Sequence, residues 1–146
     1  MAAATTRTVD ALFDRYGESH RHPANKAIHW ICVPAITWSL IGMLWAVSPL
    51  AAYGLIALAM AFYLWLSRPL AFGMLAVVAA MIYPLPWLGQ NALPVSIVVF
   101  VIAWIGQFVG HRIEGRKPSF FQDVKFLLVG PAWLLGFVYR RLGIAY

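Results

Sequence analysis

Apolar residues in this chain gather into four long runs, roughly residues 28–47, 50–66, 69–83 and 93–110, with the polar residues collected between and outside them. A helix needs about 20 predominantly apolar residues to cross the hydrocarbon core of a bilayer. The second and third runs are shorter than that, which predicts helix ends in the headgroup region or little tilt. The links at Ser48-Pro49 and Ser67-Arg68-Pro69 are too short for anything but antiparallel neighbours, and Tyr83-Pro84-Leu85-Pro86-Trp87 reads as a rigid aromatic loop. The pattern predicts an all-α membrane protein: four transmembrane helices in an antiparallel bundle, forming a single polytopic domain over residues 1–146.

Two flanking segments read as interfacial helices. Residues 8–19 place Val9, Leu12, Phe13 and Tyr16 at helical spacing, with Asp10, Asp14 and Arg15 opposite, as suits a helix lying at a membrane surface. Pro23 breaks it, and Asn25 then reads as the N-cap of a helix beginning at Lys26, with His29 about one turn inside. The fourth run continues without a breaker through His-Arg-Ile-Glu, predicting one helix that ends at Gly115 or Pro118. Residues 119–142 are apolar but interrupted at Gly130-Pro131; a fifth span would carry Arg140-Arg141 across, so a re-entrant or interfacial helix is expected.

Composition supports lipid as the solvent. The chain is 62% hydrophobic and 11% charged, with mean hydropathy +0.76; soluble domains run nearer half apolar and a quarter charged. The charge adds orientation. In the four-span topology all of Arg7, Arg15, Arg21, Lys26, Arg68, Arg112, Arg116, Lys117, Lys125, Arg140 and Arg141 face one compartment, which the positive-inside rule makes the cytoplasm, with both termini there. The net charge of +6 flanks apolar spans and does not line a polar face, so an anionic leaflet is the expected counter-charge and no nucleic-acid partner is expected. The N-terminus carries acidic residues and no early apolar core, unlike a cleaved signal peptide. Cys32 is the single cysteine, so no intramolecular disulfide forms. It is expected to be inert packing. Trp30, Trp38, Trp45, Trp65 and Trp87 read as interfacial anchors or packing.

The same topology brings His20, His22 and His29 to the depth of His111. Three clusters carry the chemistry: Tyr16, His20, Asn25 and His29; Gln107, Gly110, His111 and Glu114; and the basic pair Arg116-Lys117 before Pro118. His111 and Glu114 are three apart and share a helix face. Neutral imidazoles with a nearby carboxylate are the usual ligands of Fe, Zn or Mn, and several histidines with open positions suit non-haem iron. Ionisable groups at a bundle edge are costly and point to function. A lone histidine there is as readily explained by a water or lipid phosphate; convergence of His20, His29 and His111 with Glu114 favours a metal. His22, beside Pro23, is expected to be solvated. Gln107 and Tyr16 are placed either to orient a histidine or to make plain interhelical hydrogen bonds. There is no HExxH, CxxC pair, Ser-His-Asp set, phosphate loop or dinucleotide fingerprint.

These residues carry a resemblance. Tyr16, His20, Asn25, His29 and Pro34, followed by Gln107, Gly110, His111, Glu114 and Pro118, resemble the membrane 2-hydroxy fatty acid dioxygenase family, over roughly residues 12–142. The chain departs from the family pattern at Cys32-Val33-Pro34 and at Ser119, neither of them at a proposed ligand. The resemblance implies an Fe2+-dependent α-oxidation in which a 2-hydroxy fatty acid and O2 give the fatty acid one carbon shorter. It implies His20, His29 and His111 as iron-site residues, with Glu114 a weaker ligand or an orienting carboxylate. Arg112 and Lys26 flank the proposed ligands and are placed to pair with a substrate carboxylate or to reach lipid phosphate. A zinc-dependent lipid hydrolase and a non-enzymatic membrane scaffold or small transporter remain as alternatives; the near absence of polar residues in the middle two runs counts against a transport path. The compact, short-looped form without a retention signal suggests a bacterial inner membrane rather than the endoplasmic reticulum.

Overall fold

The computed structural model of the protein describes residues 7–115 and 126–146. Its elements are helices α1 (Thr8–Gly17), α2 (Pro23–Val47), α3 (Pro49–Leu66), α4 (Arg68–Ile82), the single turn α5 (Leu85–Leu88), a 3-10 turn (Gly89–Asn91), α6 (Ala92–Glu114) and α7 (Val129–Leu142). Arg116, Lys117, Pro118, Ser119 and Lys125, and the first part of the 119–142 segment, lie outside the described residues.

Helix starts follow local chemistry. Ser48 and Ser67 cap α3 and α4 through their hydroxyls, each before a proline in the first turn, where a missing N–H costs nothing. The same logic corrects the expected start of α2. Pro23 opens the helix instead of separating it from α1, and the cap is His22, whose Nδ1 accepts from the Ala24 amide at 3.1 Å. Asn25, expected as the N-cap, lies inside the first turn and is fully buried. At the other end of the chain, Gly115 closes α6 in the left-handed conformation (φ 76°), where the uninterrupted pattern ended.

Among the described residues three helical stretches, not four, are long and apolar enough to cross a membrane: Pro23–Val47, Pro49–Leu66 and the 47-residue stretch Arg68–Glu114. The expected third span fails on length. With 15 residues α4 rises only about 22 Å at 1.5 Å per residue, against a hydrocarbon core of about 30 Å. The aromatic link after it is not an open loop but a further helical turn and a 3-10 turn, so α4 runs almost without a break into α6. Side chains such as Ile31, Leu58 and Phe72 are 70% exposed or more, which is acceptable only where lipid is the solvent. This is an integral membrane protein.

Helices α2 and α6 pair antiparallel through small residues. A Cβ on Gly42 would lie 2.2 Å from Ser96 Oγ, one on Gly106 2.5 Å from Cys32 Sγ, and one on Gly110 2.3 Å from Asn25 Oδ1. Gly106 and Gly110 form a GxxxG repeat, the spacing that lets helix backbones approach in lipid. Helix α7 covers the end of the bundle where α2 begins and α6 ends. Its first half, Val129–Leu134, is buried with Val9, Phe13 and Tyr16 of α1, and Tyr139 donates to the Pro69 carbonyl at 2.7 Å.

Candidate metal centre

Three imidazoles meet at that end of the bundle, each brought by a different part of the chain. His20 follows the last turn of α1, His29 lies in the second turn of α2, and His111 stands in the last turn of α6. All three are buried, and one ring nitrogen from each lies within 4.8 Å of the others. Ring centroids are 4.2 Å apart for His20–His29, 5.0 Å for His29–His111 and 5.4 Å for His20–His111.

Local structure fixes two of the rings. His20 Nδ1 lies 2.6 Å from the Tyr16 carbonyl and His29 Nδ1 lies 2.9 Å from the Asn25 carbonyl. A carbonyl only accepts, so Nδ1 bears the proton in each, and Nε2 keeps the lone pair that a metal takes. Main-chain carbonyls holding the far nitrogen of a ligating histidine are the common arrangement around bound metals. Tyr16 also stacks its ring on His20 at 4.2 Å. Trp133 closes the same side, 5.1 Å from Tyr16 and 5.6 Å from His20 between ring centroids. The three histidines form a group able to hold a metal ion.

Glu114 stands beside this group with a different set of partners. Its two carboxylate oxygens accept from the Arg21 amide at 2.9 Å, the His22 amide at 2.8 Å and Asn25 Nδ2 at 3.1 Å. Asn25 also donates to the Ser19 carbonyl at 3.0 Å. The end of α6 is thereby tied to the α1–α2 connection, and the loop carrying His20 is held against His111. Glu114→Gln replaces an acceptor by an NH2 group facing main-chain donors, so a loss of about 1–3 kcal/mol of stability is expected. If Glu114 only positions the loop, the variant weakens metal binding about 10–100-fold and saturating metal restores occupancy. Stoichiometric loss at saturation would instead make Glu114 a ligand.

The other predicted residues separate. Gln107 is buried one turn before His111 and lines a small cavity with Tyr16, Val33 and Gly130. Lys26 is half-buried and Arg112 exposed, and neither lines that cavity. His22 is exposed and serves as the α2 cap. Cys32 packs with Ile36, Ala103 and Trp104 and is not part of the three-residue metal group. Trp133 and the close approach at Gly106 escaped the sequence reading. The GxxxG spacing was the signal for the second; Trp133 gave none, because its role depends on how α7 folds back.

Comparison with known proteins bears directly on this group. Residues 6–142 match the Mpo1-like 2-hydroxy-palmitic acid dioxygenase family. The chain belongs to that family. It is 32% identical over 133 residues to the 2-hydroxy-palmitic acid dioxygenase MPO1 of Saccharomyces cerevisiae, covering 85% of this chain and 75% of the yeast protein. No solved structure matches. The Mpo1-like match takes in all three histidines, Tyr16 and Asn25, whose carbonyls orient two of them, and the whole of α7.

Proposed function

We propose that this protein is an Fe2+-dependent dioxygenase that shortens 2-hydroxy fatty acids by one carbon, acting as a single domain in a bacterial inner membrane with the metal at its cytoplasmic rim. The observation that carries the reading is the convergence of buried His20, His29 and His111 in a chain of the Mpo1-like family. The donor set fits the metal. Neutral imidazoles suit iron, and three of them leave coordination positions open. A 2-hydroxy acid offers a hydroxyl and a carboxylate to fill two of these. When bound, the metal supplies a Lewis acid and a redox centre for O2.

The protein's own residues hold the substrate and exclude water. The Nδ1–H bonds to the Tyr16 and Asn25 carbonyls keep two imidazoles in one orientation. Trp133 and Tyr16 shield His20 from solvent. Gln107 lines the cavity beside Tyr16, is 5% exposed, and its Oε1 accepts no hydrogen bond among the described residues. An unmet buried acceptor costs about 1–3 kcal/mol, and the substrate 2-hydroxyl is the donor that would satisfy it. Lys26 and Arg112, outside the cavity, reach lipid phosphate or steer the substrate carboxylate inward. The reaction balances without an added reductant: a 2-hydroxy acid and O2 give the acid one carbon shorter, carbon dioxide and water.

Incubating iron-loaded protein with 2-hydroxypalmitate under O2 should yield the 15-carbon acid, with one O2 consumed per product. Stoichiometric zinc in anaerobically purified protein, with no oxygen consumption restored by iron, would replace this reading by a zinc-dependent lipid hydrolase.

A further inference from the structure

Two cavities adjoin at Leu127, and they differ in polarity. The first is lined by Gln107 and Tyr16 and, counted with the open space at its mouth, spans about 310 Å³. The second lies among α2, α3 and α4 and, counted with the open space at its mouth, spans about 540 Å³. Leu127 lines both, and Ile36 of the first is followed in α2 by Thr37 of the second.

The lining of the second cavity is apolar except for Thr37 and Tyr63. Both hydroxyls are already committed: Thr37 donates to the Val33 carbonyl at 2.9 Å and Tyr63 to the Leu128 carbonyl at 2.7 Å. Among the described residues the cavity therefore offers an occupant no free polar hydrogen, while the cavity that shares Leu127 with it offers the unmet amide oxygen of Gln107, one turn from His111. From His29 to Ile41, which lines the far part, α2 spans 12 residues, or about 18 Å. That is close to half the ~30 Å hydrocarbon core, the depth of one acyl leaflet.

We propose that this groove between α2, α3 and α4 holds the alkyl tail of the substrate, with Leu127 as the threshold between head and tail and Ala59 and Met74 setting how long a chain is accepted. The proposal rests on the dioxygenase reading above for the identity of the head group. The polarity gradient matches an amphiphile whose hydroxyl and carboxylate sit under the histidines. Tyr63 has a further part in it: its bond to Leu128 holds the Phe126–Leu128 turn, and so Leu127, between the two cavities.

The test uses the full-length protein in nanodiscs with a 2-hydroxy fatty acid carrying a photoreactive diazirine at its terminal carbon. Crosslinks are expected at Ala59 and Met74, competed away by 2-hydroxypalmitate and not by added phospholipid. Labelling that phospholipid competes equally, or labelling at the exposed Trp30–Phe137 surface, overturns the proposal. A second arm compares chain lengths. Ala59→Trp should lower kcat/KM for 2-hydroxypalmitate at least tenfold relative to 2-hydroxyoctanoate; an unchanged ratio overturns the proposal. Failure of the dioxygenase reading is separately visible, because the wild-type protein would then turn over neither chain length.

Discussion

His29→Ala and His111→Ala are each expected to abolish stoichiometric metal binding and to lower oxygen consumption with 2-hydroxypalmitate by more than about 100-fold. Loss of a residue that merely supports a ligand costs about 10–100-fold in metal affinity or activity, and these two rings belong to the three-histidine group able to hold the metal. Each substitution also empties a buried position beside two other imidazoles, so the variant fold needs checking by circular dichroism. His22→Ala is the internal control. His22 caps α2 through the Ala24 amide and stands outside the metal group, so its removal should cost about 1 kcal/mol of stability and leave metal content unchanged. Full metal content in His29→Ala and His111→Ala would sink the metal-centre reading and favour a non-enzymatic scaffold.

Gly110→Ala is expected to damage the same site without touching a ligand. An added Cβ would lie 2.3 Å from Asn25 Oδ1 and 3.4 Å from His29 Cε1. Asn25 has little room to retreat, since it is fully buried and its Nδ2 is held by both Ser19 and Glu114. Its carbonyl is also the acceptor that orients His29. The helices must separate or Asn25 must turn, and either change moves His29 relative to His111. Overpacking of this kind costs about 1–3 kcal/mol, and metal affinity should fall about 10–100-fold. Gly106→Ala, one turn away, presses on Cys32 Sγ at 2.5 Å. It should destabilise to a similar degree and leave metal affinity within a few-fold of wild type. Equal metal loss in both variants would mean that the α2–α6 contact as a whole, and not Asn25, transmits the damage.

Much of the site was legible before the fold was known. Tyr16, His20, Asn25 and His29 at one end of the apolar region, with Gln107, His111 and Glu114 at the other, needed only that the intervening helices return to the starting side. They do so even though α4 is too short to count as a span. Gly110 meets Asn25 at one end of the α2–α6 pair and Ser96 meets Gly42 at the other, while Trp38 of α2 donates to the Met81 carbonyl near the end of α4. Span counting failed where hydropathy hid continuity: prolines at 84 and 86 read as a loop, yet proline is tolerated in a first helical turn, and Leu85–Leu88 is helical. Asn25 was misread for a related reason. Its side chain suits a cap, but Pro23 with His22 before it suits a helix start better, which frees Asn25 to bridge Ser19 and Glu114.

The sequence by itself determined the solvent and the donor chemistry. Runs of apolar residues require lipid, and a membrane-edge collection of histidines is too costly to be idle. What only the tertiary structure decided was which groups share one point. Ring orientation depends on which carbonyl lies opposite Nδ1, and the division of labour between three imidazoles and Glu114 depends on which amides reach that carboxylate. The first is set within a single helical turn, but the second is set by contacts between segments about ninety residues apart, which pattern and spacing along the chain do not encode. The apolar groove that adjoins the site at Leu127 belongs to the same class, since it exists only where α2, α3 and α4 fail to close on one another.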